Sequence, residues 1–108
     1  MIKFVATLAK HPSMTHEEFV RYWRVQHVPL ARELPGLRRY VISPVVASPD
    51  GKAPYDGVAE LWFDDEETCR ASLASPAGAR ARQDMERFTE PDRITRAITV
   101  EERIVWAD

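Results

Sequence analysis

Apolar residues recur with two different periods along this chain of 108 residues. Four segments are rich in β-branched and aromatic residues and predict strands: residues 2–9, 37–46, 56–63 and 94–106. Helical spacing and capping residues predict one long helix over 16–34 and a second helical region, in two pieces, that begins near 64 and restarts after Ser75. The order β-α-β-β-α-β in a single domain predicts a ferredoxin-like α+β fold, with a four-stranded antiparallel sheet and the helices on one face.

The connections between these elements predict the relative directions of the strands and helices. Because each strand–helix unit should cross over right-handed, we expect the first and third strands to lie side by side and parallel. The two helical regions would then run roughly parallel, with their C-terminal ends together. That end of the molecule would hold His27, Asp84 and Tyr40, which are far apart in the sequence.

The first predicted helix carries the most informative residue, His27. Thr15 and Glu18 form a capping box that should start the helix, and Pro29 should kink or loosen it soon after the histidine. The inner face follows from spacings of three and four residues: Phe19, Trp23, His27, Leu30 and Leu34. An imidazole on this face is either a proton donor and acceptor or a buried group satisfied by a backbone carbonyl.

Three residues form the candidate catalytic group. Asp84 next to His27 would fix the tautomer of the ring and raise its pKa, unless Asp84 is an exposed residue of an amphipathic helix. Tyr40 could donate a hydrogen bond to a substrate carbonyl or enolate, or pack at the sheet edge. Four aromatic residues could line a substrate pocket or form plain core: Phe19, Trp23, Trp62 and Phe88.

Composition excludes several classes of function. The net charge of −2 gives no reason to expect nucleic acid or anionic membrane as a partner. The three histidines lack zinc-ligand spacing, and no phosphate loop or dinucleotide fingerprint is present, so we expect neither metal nor cofactor. The single cysteine, Cys69, should be a packing residue. The N-terminal apolar run is too short to span a bilayer and lacks a basic leader, which favours a cytoplasmic protein.

The first and last predicted strands are apolar on both sides. Helices can cover only one face of the sheet, so the other face needs a second layer. We expect two copies of the chain to pair sheet to sheet as a homodimer. Glu60 lies in an otherwise apolar strand, where it needs either a basic partner or exposure to solvent.

Several spaced motifs resemble those of the EthD family. They are His11-Pro12 with Met14, residues 17–19, Tyr22-Trp23, His27, Pro29-Leu30, residues 34–37 with Tyr40, residues 55–63, Ser75-Pro76 with Gly78, and Asp84 with Phe88. The resemblance covers almost the whole chain. It implies a dimeric α+β barrel, a superfamily that includes cofactor-independent monooxygenases, lactone isomerases, polyketide cyclases and dehydratases. It also implies functional roles for His27 and Asp84, with Tyr40 and Trp62 in the pocket. Some barrels of this superfamily hold haem, and His27 is the residue that could ligate it here.

Two functions from different classes follow. The first is a cofactor-independent enzyme that oxidises, isomerises or dehydrates a small apolar aromatic or lactone-like metabolite in a cleft between helices and sheet. The second is a non-catalytic binding or accessory protein of an oxidative catabolic pathway. An enzyme needs His27 to line an open cavity, whereas an accessory protein tolerates a sealed imidazole.

Overall fold

The computed structural model describes residues 1–90 and 96–108. Four strands form one sheet: β1 (Ile2–Leu8), β2 (Arg39–Pro44), β3 (Gly57–Phe63) and β4 (Ala97–Glu101). The helices are α1 (His16–Tyr22), α2 (Val28–Ala31), α3 (Glu66–Leu73) and α4 (Pro76–Met85), and a π-helical segment (Trp23–His27) joins α1 to α2. The ferredoxin-like α+β fold is therefore confirmed.

The sheet order is β2-β3-β1-β4, and every neighbouring pair is antiparallel. The expectation of parallel first and third strands was wrong. The crossover through the first helix makes β1 and β2 parallel, and the direct connection from β2 makes β3 run against β2. It follows that β3 must also run against β1, with Ile2 opposite Phe63.

The two helical regions also run antiparallel to each other, so the expectation that they are parallel was wrong. Glu33 lies six residues after His27, and its carboxylate is 3.7 Å from the guanidinium of Arg80, four residues before Asp84. Later residues of the first helical region thus contact earlier residues of α4, as in an antiparallel pair. His27 and Asp84 meet where the helices pass each other, not at a shared C-terminal end.

Side-chain caps set the start of each long helix, as the sequence predicts. Thr15 and Glu18 form both bonds of the capping box, while Asp65 caps α3 and Ser75 caps α4. The last strand is shorter than predicted and ends at Glu101. Its expected start at Ile94, and most of the break predicted at 90–92, lie outside the described residues.

The first helix widens at Trp23 into the π-helical segment, which ends at His27, two residues before Pro29. Proline has no N–H to donate, and the N–H of Val28 bonds the carbonyl of Trp23, five residues earlier. A π turn holds more residues than an α turn, so side chains at steps of four stay on one face. The buried series is consequently Phe19, Trp23, His27 and Ala31, and Leu30, predicted to face inward, is only half-buried.

The two faces of the sheet differ sharply. The face under the helices is apolar and carries Ala6, Leu8, Ala59, Leu61 and Phe63. The opposite face mixes half-buried valines with charges. There Glu60 finds its partner in Lys3, whose Nζ lies 2.9 Å from the carboxylate.

Gly57 has a steric role at the start of β3. A Cβ at this position would lie 2.7 Å from Cη2 of the Trp23 ring and closer still to Cζ3. The backbone of β3 therefore serves as a flat surface for the indole.

We predict that Gly57→Ala lowers the free energy of unfolding by about 1–3 kcal/mol, because the indole must move. Urea denaturation measures the change. In a Trp23→Phe background the clashing ring atoms are absent, so the cost of Gly57→Ala should largely disappear. Equal costs in both backgrounds would show that the indole is not what excludes a side chain.

Candidate active site

The sequence-predicted pair of His27 and Asp84 is formed. His27 Nδ1 lies 2.9 Å from Asp84 Oδ2, and the two residues are only 6% and 9% exposed. The π-helical segment supplies the imidazole and the last turn of α4 supplies the carboxylate. Since a carboxylate accepts, Nδ1 donates the hydrogen bond, and the neutral ring keeps its lone pair on Nε2.

Tyr22 is a third member of this group that the sequence analysis missed. Its hydroxyl donates to Asp84 Oδ1 at 2.8 Å, and burial followed by this hydrogen bond raises the pKa of the phenol. Residues five apart point in different directions on an α-helix, so α periodicity separated Tyr22 from His27. The π-helical segment brings both side chains to the carboxylate of Asp84. The signal available in the sequence was Pro29, which indicates that the helix just before it is irregular.

A cavity of about 100 Å³ lies between the helices and the sheet, next to the pair. His27, Trp23 and Tyr40 supply its polar groups, together with the exposed Arg82 at its wall. The rest of the lining is mostly apolar: Ala6, Leu8, Ala31, Leu34, Ala59, Leu61, Leu73, Gly78, Ala81 and Met85. His27 is therefore not sealed in the core. A cavity of this size suits one small ring, and it does not fit a haem macrocycle.

The imidazole has one nitrogen available to a bound molecule. Nδ1 is held by Asp84, and no described residue hydrogen-bonds Nε2. Burial lowers the pKa of His27 below its ordinary value of 6.5, and the hydrogen bond and charge of Asp84 only partly oppose that effect. Asp84 alone would raise the pKa of the imidazole, as expected from the sequence, but burial has the larger effect. A ring that is neutral at pH 7 with a free Nε2 can accept a proton.

Tyr40 faces the same cavity from β2. Burial raises the pKa of its phenol to about 12, and the nearby Trp23 indole N–H opposes the rise. The hydroxyl therefore stays protonated at neutral pH and can donate a hydrogen bond. The structure brings His27, Tyr40 and Trp23 together around one apolar space.

The other aromatic candidates lie elsewhere. Trp62 is on the opposite face of the sheet, where its N–H donates to Glu102 at 3.0 Å and Lys3 and Arg39 lie over its ring, which corrects its placement in the pocket. Strand alternation puts it with Glu60, away from the helices.

Phe19 and Phe88 are fully buried and do not line the cavity. The Phe88 ring lies 4.9 Å from the His27 ring, between centroids, and stacks on Tyr22 at 5.1 Å. These two phenylalanines belong to the core behind the imidazole, where they hold the ring in place.

Neither a metal centre nor a membrane span is found within residues 1–90 and 96–108. No group of three or more His, Cys, Asp or Glu side chains there could hold a metal ion, and no helix is long and apolar enough to cross a bilayer. Cys69 is buried, and burial raises the pKa of its thiol.

Known proteins resemble the chain in sequence and in structure. The model of the EthD domain matches residues 11–92. A 4-carboxymethyl-4-methylbutenolide mutase from Pseudomonas reinekei is 34% identical over 82 residues, which are 69% of this chain and 76% of the mutase. An ethyl tert-butyl ether d (EthD) family protein from Bacillus halodurans superposes with a TM-score of 0.81 at 26% identity, over 95% of this chain and 99% of its own. A dimeric ferredoxin-like protein from Thermobifida fusca gives a TM-score of 0.70 at 18% identity, over 92% and 88%.

We predict that an NMR titration of the His27 ring gives a pKa below 6.5, and that Asp84→Asn lowers it further. The carboxylate charge favours the imidazolium, so its removal leaves burial unopposed. Tyr22→Phe is the matched control, because it removes a hydrogen bond to Asp84 but keeps the charge, and it should not lower the pKa. A pKa that rises in Asp84→Asn would contradict the pair.

Proposed function

The chain belongs to the EthD domain family, and on that premise we propose that it is a small cofactor-independent enzyme that isomerises an unsaturated lactone by proton transfer. One observation carries the proposal: a buried His–Asp pair holds Nδ1 of an imidazole that lines a small, mostly apolar cavity, and no described residue hydrogen-bonds its Nε2. The same observation favours an enzyme over an accessory protein, for which a sealed imidazole would suffice.

The chemistry needs proton transfer and the opening and closing of a lactone ring. His27 Nε2 removes a proton from a carbon activated by the carbonyl or carboxyl group of the substrate. Asp84 stabilises the imidazolium that forms, and the Tyr40 hydroxyl donates to the oxygen on which negative charge develops. In a butenolide whose ring carbon 4 carries no hydrogen, loss of a proton from the carboxymethyl group breaks the bond between carbon 4 and the ring oxygen and gives a diene dicarboxylate. The other carboxylate then closes a new lactone on the far double bond, and the imidazolium returns the proton to the carbon next to the carboxylate that was released. The product is an isomer of the substrate, so no oxidant or reductant is consumed.

The relative from Pseudomonas reinekei supports isomerisation among the three reactions expected at first. Its name describes a mutase of a substituted butenolide, which is an unsaturated lactone. The cavity is mostly apolar and, at about 100 Å³, smaller than the roughly 300–1,000 Å³ of drug-sized ligand pockets, which favours a small metabolite over a large one. Oxidation and dehydration have no comparable support from a relative above 30% identity.

We also propose that two copies pair through the sheet face opposite the helices. Half-buried valines from three neighbouring strands lie on this face: Val5, Val41 and Val58. Trp62, Lys3 and Glu60 sit among them. The Thermobifida fusca protein with this fold is described as dimeric, which supports a dimer here.

We predict that the protein interconverts 4-carboxymethyl-4-methylbutenolide with an isomer and incorporates solvent deuterium, as followed by NMR. His27→Gln should lower kcat/KM by about 10²–10⁴-fold, as expected for loss of a general base. His16→Gln, at an exposed position, is the matched control and should be unaffected. An active His27→Gln protein would refute the mechanism, and a wild type that binds lactones without exchange would favour the accessory protein.

The pH profile of the same reaction tests independently whether His27 acts as a base and whether its pKa is lowered. A protonated ring cannot accept a proton, so kcat/KM should fall on the acid side. The midpoint should lie below 6.5, because burial lowers the pKa of His27. Loss of activity on the alkaline side alone would assign His27 as an acid instead.

We predict that sedimentation equilibrium gives a species of twice the chain's 12.4 kDa. Val58→Asp should dissociate or unfold it, because an unpaired charge buried between two sheets costs several kcal/mol. Ala79→Glu, on an exposed part of α4, should leave the assembly unchanged. A monomeric wild type at micromolar concentration would contradict the sheet-to-sheet dimer.

A further inference from the structure

The indole N–H of Trp23 has no hydrogen-bond partner among the described residues, although the side chain is fully buried. Buried donors are nearly always paired, because an unpaired one loses its hydration without compensation. Trp62 shows the usual outcome, since its N–H donates to Glu102. The orphaned donor of Trp23 therefore calls for an acceptor that no described residue supplies in good geometry.

The packing of the ring shows where this donor points. The benzene edge of the indole, at Cζ3 and Cη2, rests on Gly57 at the start of β3. The indole nitrogen is on the other side of the ring system. It is therefore directed away from Gly57, on a side chain that lines the cavity together with Tyr40.

Tyr40 is close enough to sense this donor. The Trp23 N–H lowers the pKa of the phenol against the effect of burial, yet the two groups form no hydrogen bond of good geometry. Both side chains line the cavity that His27 also lines. Two neutral donors thus converge on a mostly apolar space and lack an acceptor between them.

We propose that the Trp23 indole N–H and the Tyr40 hydroxyl form a two-donor site that binds the carbonyl oxygen of the substrate and the enolate oxygen formed from it. This inference rests on the proposed function, because it assigns the oxygen subsite of the same cavity. The ligand class is a small planar ring that carries a carbonyl or an ionisable hydroxyl oxygen.

In this arrangement, different residues around the cavity accept the proton and stabilise the charge that develops on oxygen. His27 takes the proton, and the two donors stabilise the charge left on oxygen. A neutral phenol and an indole cannot protonate that oxygen as readily as a cation would, so they hold the enolate without trapping it. The loss of one preorganised donor to an oxyanion lowers kcat by about 10²–10³-fold.

The test removes the N–H without changing the shape of the side chain. Trp23 is replaced site-specifically with 3-benzothienylalanine, in which sulfur takes the place of the N–H. The probe is 4-nitrophenol, whose phenolate form is followed by its absorbance. The wild type should bind the phenolate in preference to the phenol, and the substituted protein should lose at least about tenfold of that affinity. Tyr40→Phe should lose a similar factor.

Thermal unfolding without ligand separates this role from a structural one. The Trp23 replacement deletes an unpaired donor, so its Tm should equal or exceed that of the wild type. The same replacement at Trp62 is the matched control. It deletes a paired donor on the opposite face of the sheet, so it should lower Tm and leave phenolate binding unchanged.

Two results would overturn the inference: a wild type that shows no preference for the phenolate, or a Trp23 replacement that binds it as tightly as the wild type. Neither depends on turnover. Failure of the proposed function would instead appear as a wild type that binds phenolate normally and exchanges no proton in any lactone.

Discussion

The buried carboxylate of Asp84 is the constraint on which the rest of the site depends. A carboxylate removed from water costs several kcal/mol unless it is paired and hydrogen-bonded. Here two donors satisfy it, one on each oxygen: the His27 ring and the Tyr22 hydroxyl. Both come from the facing helix, five residues apart. A π turn holds more residues than an α turn, so the π-helical segment brings residues at that spacing closer to one face than an α-helix would. The widened segment and the carboxylate on α4 thus depend on each other.

The sequence predicted the structure well where the type of a residue and the periodicity of the surrounding apolar positions indicated the same element. The capping box, the strand order along the chain and the alternation of β3 all follow from local patterns, and the structure has them. The pairing of His27 with Asp84 was correctly expected, but partly for a wrong reason, since the parallel helices assumed for it do not exist. Resemblance to a family and a polar residue on an apolar face were the better guides.

Two misplacements have distinct physical causes. Tyr22 was missed because α periodicity assumes a constant twist, which the π-helical segment breaks. Trp62 was placed in the pocket by the family resemblance and by its aromatic side chain, although its alternation with Glu60 along β3 already put it on the other face. Residue type alone is a poor guide to position in a sheet, because a one-residue step moves a side chain from one face to the other. The orphaned Trp23 N–H could not be predicted at all, since it depends on how the ring rests on Gly57.

The balance of forces on His27 explains why burial and a charged partner occur together. Asp84 alone would raise the pKa of the imidazole and keep it charged near neutral pH, when it could no longer accept a proton. Burial alone would keep the ring neutral but leave its tautomer undefined. Combined, they give a neutral ring that lines the cavity, whose Nδ1–H is fixed and whose Nε2 is not hydrogen-bonded by any described residue. The packing of Phe88 against the ring is therefore a functional contact as well as a structural one, because the apolar surroundings it provides set the protonation state that the proposed chemistry requires.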